Sequence, residues 1–349
     1  MKKTKIDILN LNKTPYENGK ISGNYFKHII NKNLLNELSL LLKNESIKSK
    51  CIQLLEKIRN EFPKYYEEIK GKADGLEIDI LLYFSVLCPE LFKLNFEHCT
   101  TIIAKKENGN YILSHNEDDD YVVGNFCLSK VKIDNGNWFI TNDMYNMPFG
   151  NGFSWNSYGI FKTINYCHDE ETNLDNLPRY FSQRHISEAS SIDDLIRRCK
   201  EIKTASGYHI NAIDINNNIA VSIEVYKEDI SVKYVDDFYV HSNHYIHGNI
   251  DNKMVDEGSN SIFRLNKAIE LVKENNRDFK EIRNILKYRS SKNLFNKSIF
   301  QTMSDPYITI ANISIDTERK DEIFLEIYYN NEKLKLNYSL NNVNFLNVN

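Results

Sequence analysis

Apolar residues follow two regimes along this chain, and the change comes near residue 96. Before it they recur every three or four positions. Leu34, Leu35, Leu38, Leu41 and Leu42 form one such stripe, the spacing of an amphipathic helix. The stretches GNYFKHIINKNLLNELSLLLKNE and IKSKCIQLLEKIRNEFPKYYEEIKGKADG therefore predict helices, the second interrupted at Pro63 and stopped by Ala73-Asp74-Gly75. A third helix is expected from Ile78 to Phe92.

Beyond residue 96 the pattern shortens to strand-like runs. CTTIIAKK and NYILSHNE flank Asn108-Gly109, a pair that supplies the positive φ angles of a tight turn, so a β-hairpin is predicted. Further strands fit CLSKVKID, NWFITNDMY, GIFKTINYC, YHINAIDIN, IAVSIEVY and ISVKYVD, and YITIANISID, IFLEIYYN and KLKLNYSL close the chain. Two helices fall among them, Ile192–Lys203 and Ser261–Lys273, the latter with Leu265, Ala268, Ile269 and Val272 on one face. There is no internal repeat and no low-complexity linker. Strand groups separated by helices imply an α+β fold in which helices cover sheets.

Composition narrows this reading. A chain of 349 residues, 41% apolar and sparse in Gly and Pro, can bury a substantial core as one large domain or two ordinary ones. The net charge of −4 is spread along the sequence and leaves no basic footprint for nucleic acid. No run approaches the roughly 18 apolar residues of a membrane span, and the basic start MKKTKIDILNLNKTPYENG lacks a secretory apolar segment. Cysteines 51, 88, 99, 127, 167 and 199 have the spacing of neither a disulfide framework nor a zinc motif. A reducing, cytoplasmic location and no metal are expected.

Cys99 has the most informative neighbourhood of the six. The plain reading is a small core residue, as most free cysteines are. The functional reading needs a base near the sulfur and donors for an oxyanion. His98 is too close in sequence to act as that base, while His209, His241 and His244 are candidates without a discriminating motif. Cleavage of the peptide bond before Cys99 would offer another base. The new α-amine, with an ordinary pKa of about 7.7–8.0, would sit beside the thiol.

Several segments, in order, resemble the acyl-coenzyme A:penicillin acyltransferase family, peptidase family C45 of the N-terminal-nucleophile hydrolases, with bile-salt hydrolases as more distant kin. FPKYYEEIKGKADGLEIDI resembles its propeptide, HCTT its processing site, SHNEDD a Gly-x-Asn-x-Asp strand end and NSYGIFKTIN an Asn-Glu-x-Gly-Leu segment. HSNHYIH resembles a His-x-Asn-His-Phe segment, and SIFRLNKAIELV a Ser-x-x-Arg helix start.

The resemblance implies a four-layer αββα sandwich. Residues 1–98 would be a helical propeptide that stays bound, and 99–349 the catalytic domain. It implies self-cleavage between His98 and Cys99, with Cys99 as nucleophile, Asp118 (within the run Asp118–Asp120) orienting the terminal amine and Asn243 as oxyanion donor. Asn165 would be a second polar contributor, and Arg264 a cation near the thiolate. Thr101 shares a strand face with Cys99; His244, Phe149, Phe153 and Trp155 are candidates to line an acyl pocket. Two departures stand out: His98 replaces the usual Gly, and His115 stands where bile-salt hydrolases carry an arginine.

The implied activity is hydrolysis or transfer of an acyl group from an amide or thioester through an acyl-Cys99 intermediate. No bound cofactor is implied, although a coenzyme A thioester is a possible substrate. The expected partners are a small acyl substrate, the second fragment of the same chain and, as a homo-oligomer, a second copy of the chain. The alternatives are an unprocessed binding protein on the same fold, or a conventional Cys-His hydrolase using His241 or His244.

Overall fold

The computed structural model describes residues 6–93, 98–119, 126–167, 172–248, 259–319, 322–328, 332–338 and 343–347, the last two segments as backbone only. Phe96, Asp120 and the ends of the last two expected strands lie outside the described residues.

The chain opens with a strand that the sequence pattern did not reveal, β1 (Ile8–Leu11), and continues into α1 (Pro15–Phe26), α2 (Lys32–Leu41), α3 (Glu45–Glu61), α4 (Pro63–Leu76), α5 (Ile80–Val86) and α6 (Pro89–Phe92). Helix starts follow local chemistry. Thr14 and Glu17 form a reciprocal capping box at α1, and the Asn31, Asn44 and Asp79 side chains cap α2, α3 and α5. Pro63 divides α3 from α4, as expected. Gly75 does not stop α4; the left-handed residue that ends it is Glu77 (φ 59°). Gly71 and Gly75 instead meet Gly19 and Gly23 across the α1–α4 contact. A Cβ at any of the four would strike a facing backbone carbonyl oxygen, of Tyr16, Lys20, Glu68 or Lys72. The expected third helix is two, α5 and α6, because Pro89 begins a new turn.

The strands follow as β2 (His98–Lys105), β3 (Tyr111–Asp119), β4 (Cys127–Lys132), β5 (Trp138–Asp143), β6 (Ser154–Asn156) and β7 (Ile160–Tyr166). Helices α7 (Arg179–Ile186) and α8 (Ile192–Glu201) precede β8 (Tyr208–Asp214), β9 (Ile219–Tyr226), β10 (Asp229–Tyr234) and β11 (Phe238–His241). Then come α9 (Asn260–Glu274), α10 (Phe279–Ile285), β12 (Ile308–Asp316), β13 (Glu322–Ile327), β14 (Glu332–Tyr338) and β15 (Val343–Asn347).

These strands form two sheets, ordered β1-β4-β5-β6-β7-β8-β9-β10 and β11-β2-β3-β12-β13-β14-β15. All pairings are antiparallel except β1 with β4. The mixed α+β class therefore stands.

Strand alternation assigns each face. One core cluster joins the sheets: Leu128, Ile140, Trp155, Phe161 and Ile213 of the first meet Ile103, Leu113, Ile313 and Leu325 of the second. Alternate residues of the first sheet (Ile160, Ile164, Ile210, Ile223) pack with Ile186, Leu195 and Cys199 of α7 and α8. Those of the second (Ile102, Ala104, Ile112) pack with Leu265, Ala268 and Ile282 of α9 and α10. Each buried Ile, Leu or Phe among them contributes about 1.5–3 kcal/mol by leaving water.

The N-terminal helices are tied into this body. Their own cluster includes Cys127, Tyr145, Leu177 and Phe181 from later in the chain. Three buried ion pairs reinforce the seam: Lys72–Asp143 (2.8 Å), Arg184–Glu68 (2.8 Å) and Arg179–Glu90 (3.3 Å). Among the described residues no helix is long and apolar enough to cross a membrane.

Candidate active site

Cys99 lies at the start of β2, buried, and its side chain shares the inward face with Thr101 and Ile103. The register of the β2–β3 hairpin fixes what stands opposite: Cys99 pairs with Glu117, Thr101 with His115, and His98 with Asp118. Residues directly opposite share a face, so the carboxylate beside the sulfur is that of Glu117. Its Oε1 is 3.9 Å from Sγ, and its Oε2 is 3.0 Å from His115 Nε2.

Asp118, the expected orienting acid, lies on the other face, where the charge of Arg264 and the hydroxyl of Thr309 act on it. Burial pushes its carboxyl up to about 8, and those two neighbours lower it only in part. Neither of its oxygens makes a hydrogen bond of good geometry among the described residues. Strand alternation thus sets Asp118 on the face away from the thiol, and the acid beside the sulfur is Glu117, which was not among the expected site residues.

The main chain at Cys99 is held from the other side by the loop after β11 and the first turn of α9. Cys99 N–H donates to Asn243 Oδ1 (3.1 Å). Arg264 donates to Cys99 O (2.5 Å), Thr100 Oγ1 (2.7 Å) and Asn243 Oδ1 (2.6 Å). Ser261, one helical turn earlier, accepts from Asn243 N–H (2.9 Å) and bonds His244 Nδ1 (2.8 Å). The Ser-x-x-Arg spacing puts both residues on one helix face, Ser261 gripping the loop and Arg264 gripping Cys99.

Two of the expected site residues make further specific contacts. Asn243 Nδ2, the anticipated oxyanion donor, is engaged by Tyr166 O at 2.9 Å. Arg264, expected as a cation near the thiolate, donates to the carbonyl of Cys99.

The inward faces of neighbouring strands complete a polar chamber. Thr101 Oγ1 meets His115 Nδ1 (2.7 Å) and Asn165 Oδ1 (2.9 Å), and Asn165 Oδ1 also accepts from Asn211 Nδ2 (3.1 Å). Asn165 Nδ2 is a buried donor with no hydrogen-bond partner among the described residues. Farther in, the His209 and His241 rings stack at 3.4 Å, and burial pulls His209 well below its ordinary pKa.

The histidines named as alternative bases are engaged elsewhere. His241 bonds Glu224 (3.2 Å) and Ser242 O (2.9 Å), and His209 bonds Ser222 (2.7 Å). Burial lowers His244 to about 4. His115 is the imidazole beside Cys99, and Cys99, His115 and Glu117 offer metal-ligand atoms all within 4.8 Å of one another.

The aromatic residues considered for an acyl pocket are core residues. Phe153 and Trp155 belong to the inter-sheet cluster, and Phe149 packs with Leu11, Val131 and Phe139. No described contact brings them to Cys99. His98 stacks on Tyr307, ring centroids 3.8 Å apart and the planes nearly parallel.

A sequence profile of the acyl-coenzyme A:6-aminopenicillanic acid acyl-transferase family matches residues 104–321. The chain belongs to this family. The matched stretch begins just after Cys99 and includes Asn165, Asn243 and Arg264. Among curated proteins, a relative in Drosophila melanogaster, the beta-alanyl-dopamine/carcinine hydrolase, is 26% identical over 228 residues. That alignment covers 56% of this chain, which spans 57% of the relative's length. Family and relative agree on amide hydrolysis or acyl transfer as the class of chemistry.

Proposed function

We propose that this member of the acyl-transferase family is a self-processing cysteine amidohydrolase or acyltransferase, and that Cys99 carries the acyl group. The observation that carries this reading is the grip on Cys99. A buried thiol sits 3.9 Å from a carboxylate, with its N–H on Asn243 and its carbonyl on Arg264.

In maturation the thiol attacks the His98 carbonyl carbon, and the peptide nitrogen leaves with a proton to become the α-amine of Cys99. Water then hydrolyses the His98 thioester, freeing the His98 carboxylate and the thiol. In turnover the thiol attacks the substrate acyl carbon, with the α-amine as base, and the amine or thiol product departs. Water or an acceptor amine takes the acyl group from sulfur. Glu117 orients the thiol and the new amine, the role the resemblance assigned to Asp118. Asn165 Nδ2, the free donor of the chamber, is the side-chain candidate for the oxyanion, a contribution of about 3–4 kcal/mol per donor.

The helices and sheets are read here as the four-layer αββα arrangement, with residues 1–98 as a retained propeptide. The three buried ion pairs and β1 in the sheet favour that retention. Six free cysteines suit a reducing compartment such as the cytoplasm. Amides of β-alanine with aromatic or imidazole amines, the chemistry named in the fly relative, head the substrate candidates. N-acyl amino acids and acyl-coenzyme A thioesters follow.

The test is to incubate the protein with that panel beside Cys99→Ala and to map the acyl adduct by peptide mass spectrometry. An adduct on Cys99 with product release is expected. Turnover that survives Cys99→Ala sinks the reading.

One observation favours a second reading. His115 stands against Glu117 near the thiol, as a Cys-His base would. Undiminished turnover in a chain that never cleaves, lost in His115→Gln, would select it.

A further inference from the structure

The chamber holds an unresolved pairing. Thr101 has one hydroxyl proton, and it goes to Asn165 Oδ1 at 2.9 Å. The same oxygen accepts from Asn211 Nδ2 at 3.1 Å, and that nitrogen also lies 3.3 Å from His209 Nδ1. With the Thr101 proton on Asn165, His115 Nδ1 at 2.7 Å is the donor to Thr101 Oγ1. A neutral His115 then turns a bare Nε2 lone pair toward Glu117 Oε2 at 3.0 Å, acceptor against acceptor. A proton, on the ring or on the carboxyl, or a cation lies between them.

The sulfur favours the cation. Cys99 Sγ is 3.9 Å from the other Glu117 oxygen, and the three ligand atoms lie within 4.8 Å of one another. Bond lengths of about 2.0–2.3 Å to N, O and S put tetrahedral ligands roughly 3.3–3.8 Å apart. Closing the present triangle onto a metal shortens its longest side, at most 4.8 Å, by about 1.0–1.5 Å, shared between two side chains. Thr101 already holds the other imidazole nitrogen, the support that metal-bound histidines ordinarily have. A thiolate, a carboxylate and a divalent ion sum to no net charge, which suits a buried place better than either anion alone. All three side chains are buried.

We propose that Cys99, His115 and Glu117 form a three-ligand site for a thiophilic divalent cation such as Zn²⁺, whose occupancy holds the nucleophile inactive. The function assigned to the bound ion rests on Cys99 being the nucleophile. Binding replaces the thiol proton, which passes to solvent, with a sulfur–metal bond, and the fourth position stays open to water. Sulfur, imidazole and carboxylate select Zn²⁺ or Co²⁺ over Mg²⁺ and Ca²⁺. A chelator restores the thiol.

The experiment titrates chelator-treated full-length protein with Co²⁺ and follows the near-ultraviolet thiolate-to-cobalt charge-transfer band. Acyl turnover of the same samples is measured with and without stoichiometric Zn²⁺. One Co²⁺ per chain is expected, with the band absent in Cys99→Ser. At least about tenfold weaker binding is expected in Glu117→Gln and His115→Gln. Glu117→Gln keeps the side-chain shape, and melting curves verify that both variants fold. Zn²⁺ should abolish turnover in the wild type, reversibly with chelator.

A protein that turns over substrate but gives no thiolate band, or binds equally in both variants, overturns the site while leaving the enzyme reading intact. Binding with the expected variant pattern in a protein that turns over none of the panel supports the site and counts against the enzyme reading. Zn²⁺ bound through the thiolate with turnover unchanged overturns the inhibitory role.

Discussion

The space between the two sheets has an apolar half and a polar half, built by the same strands. β2 sends Ile103 into the first and Thr101 and Cys99 into the second; β3 sends Leu113, then His115 and Glu117. β7 runs from Phe161 to Thr163 and Asn165, and β8 from Ile213 to Asn211 and His209. In the apolar half, each side chain adds hydrophobic burial and nothing aims at a reacting atom. In the polar half, buried hydrogen bonds bring little net stability and instead fix orientations. One half holds the sheets together and the other holds the thiol.

The largest expected separation is in chemistry. Cys99→Ala should reduce acyl turnover by at least about 10³-fold and leave the melting curve nearly unchanged, which paired kinetics and calorimetry check. Phe161→Ala, in the apolar half, should cost about 3–5 kcal/mol in a urea titration. The molecules that remain folded should react with a thiol probe at the wild-type rate.

The seam with the N-terminal helices belongs with the load-carrying half. Lys72 donates to Asp143 and to the carbonyls of Met144 and Met147. Lys72→Met leaves a buried carboxylate short of its cation, a loss of about 3–5 kcal/mol. In cleaved protein the fragments should separate at lower urea. Thr101→Val tests the other half: about 1 kcal/mol of stability, with a larger proportional loss of turnover as His115 and Asn165 lose their shared partner. Equal losses of stability from Thr101→Val and Phe161→Ala would erase the contrast.

A separate effect is in pH dependence. Lys162 points away from the chamber, and burial lowers its pKa to about 7; its ammonium donates to Gly150 O at 2.6 Å. The folded state releases the Lys162 proton near pH 7, whereas the unfolded chain keeps it to about 10.4. The unfolded state thus binds more protons between those values, and this group makes stability rise with pH there. Lys162→Met should flatten that rise in melting temperatures taken from pH 7 to 10.

The helices, the hairpin and most strands were legible from periodicity, because each buries one face and repeats accordingly. β1 was not, since Ile8-Leu9-Asn10-Leu11 is four residues long and pairs with β4, more than a hundred residues away. Nor was the role of Gly75, which depends on α1 lying against it.

The hairpin register shows the limit most clearly. A two-residue turn at Asn108-Gly109 would have set Asp118 opposite Cys99. The loop instead takes three residues, with Gly109 alone left-handed (φ 84°) and Lys106 N–H closing on Asn110 O at 2.7 Å. One residue of slip exchanges the two faces of a strand, so Glu117 takes the place beside the sulfur. Asn243 and Arg264 were picked out by their motifs; which atoms they grip was visible only from the loop and helix around them.

The most direct test of Cys99 as a self-released nucleophile is the intact mass of purified wild-type protein after long incubation, with Cys99→Ala alongside. Two fragments divided between His98 and Cys99 in the wild type, and one full-length species in the variant, are predicted. A wild-type protein that turns over acyl amides while remaining a single full-length chain would contradict it.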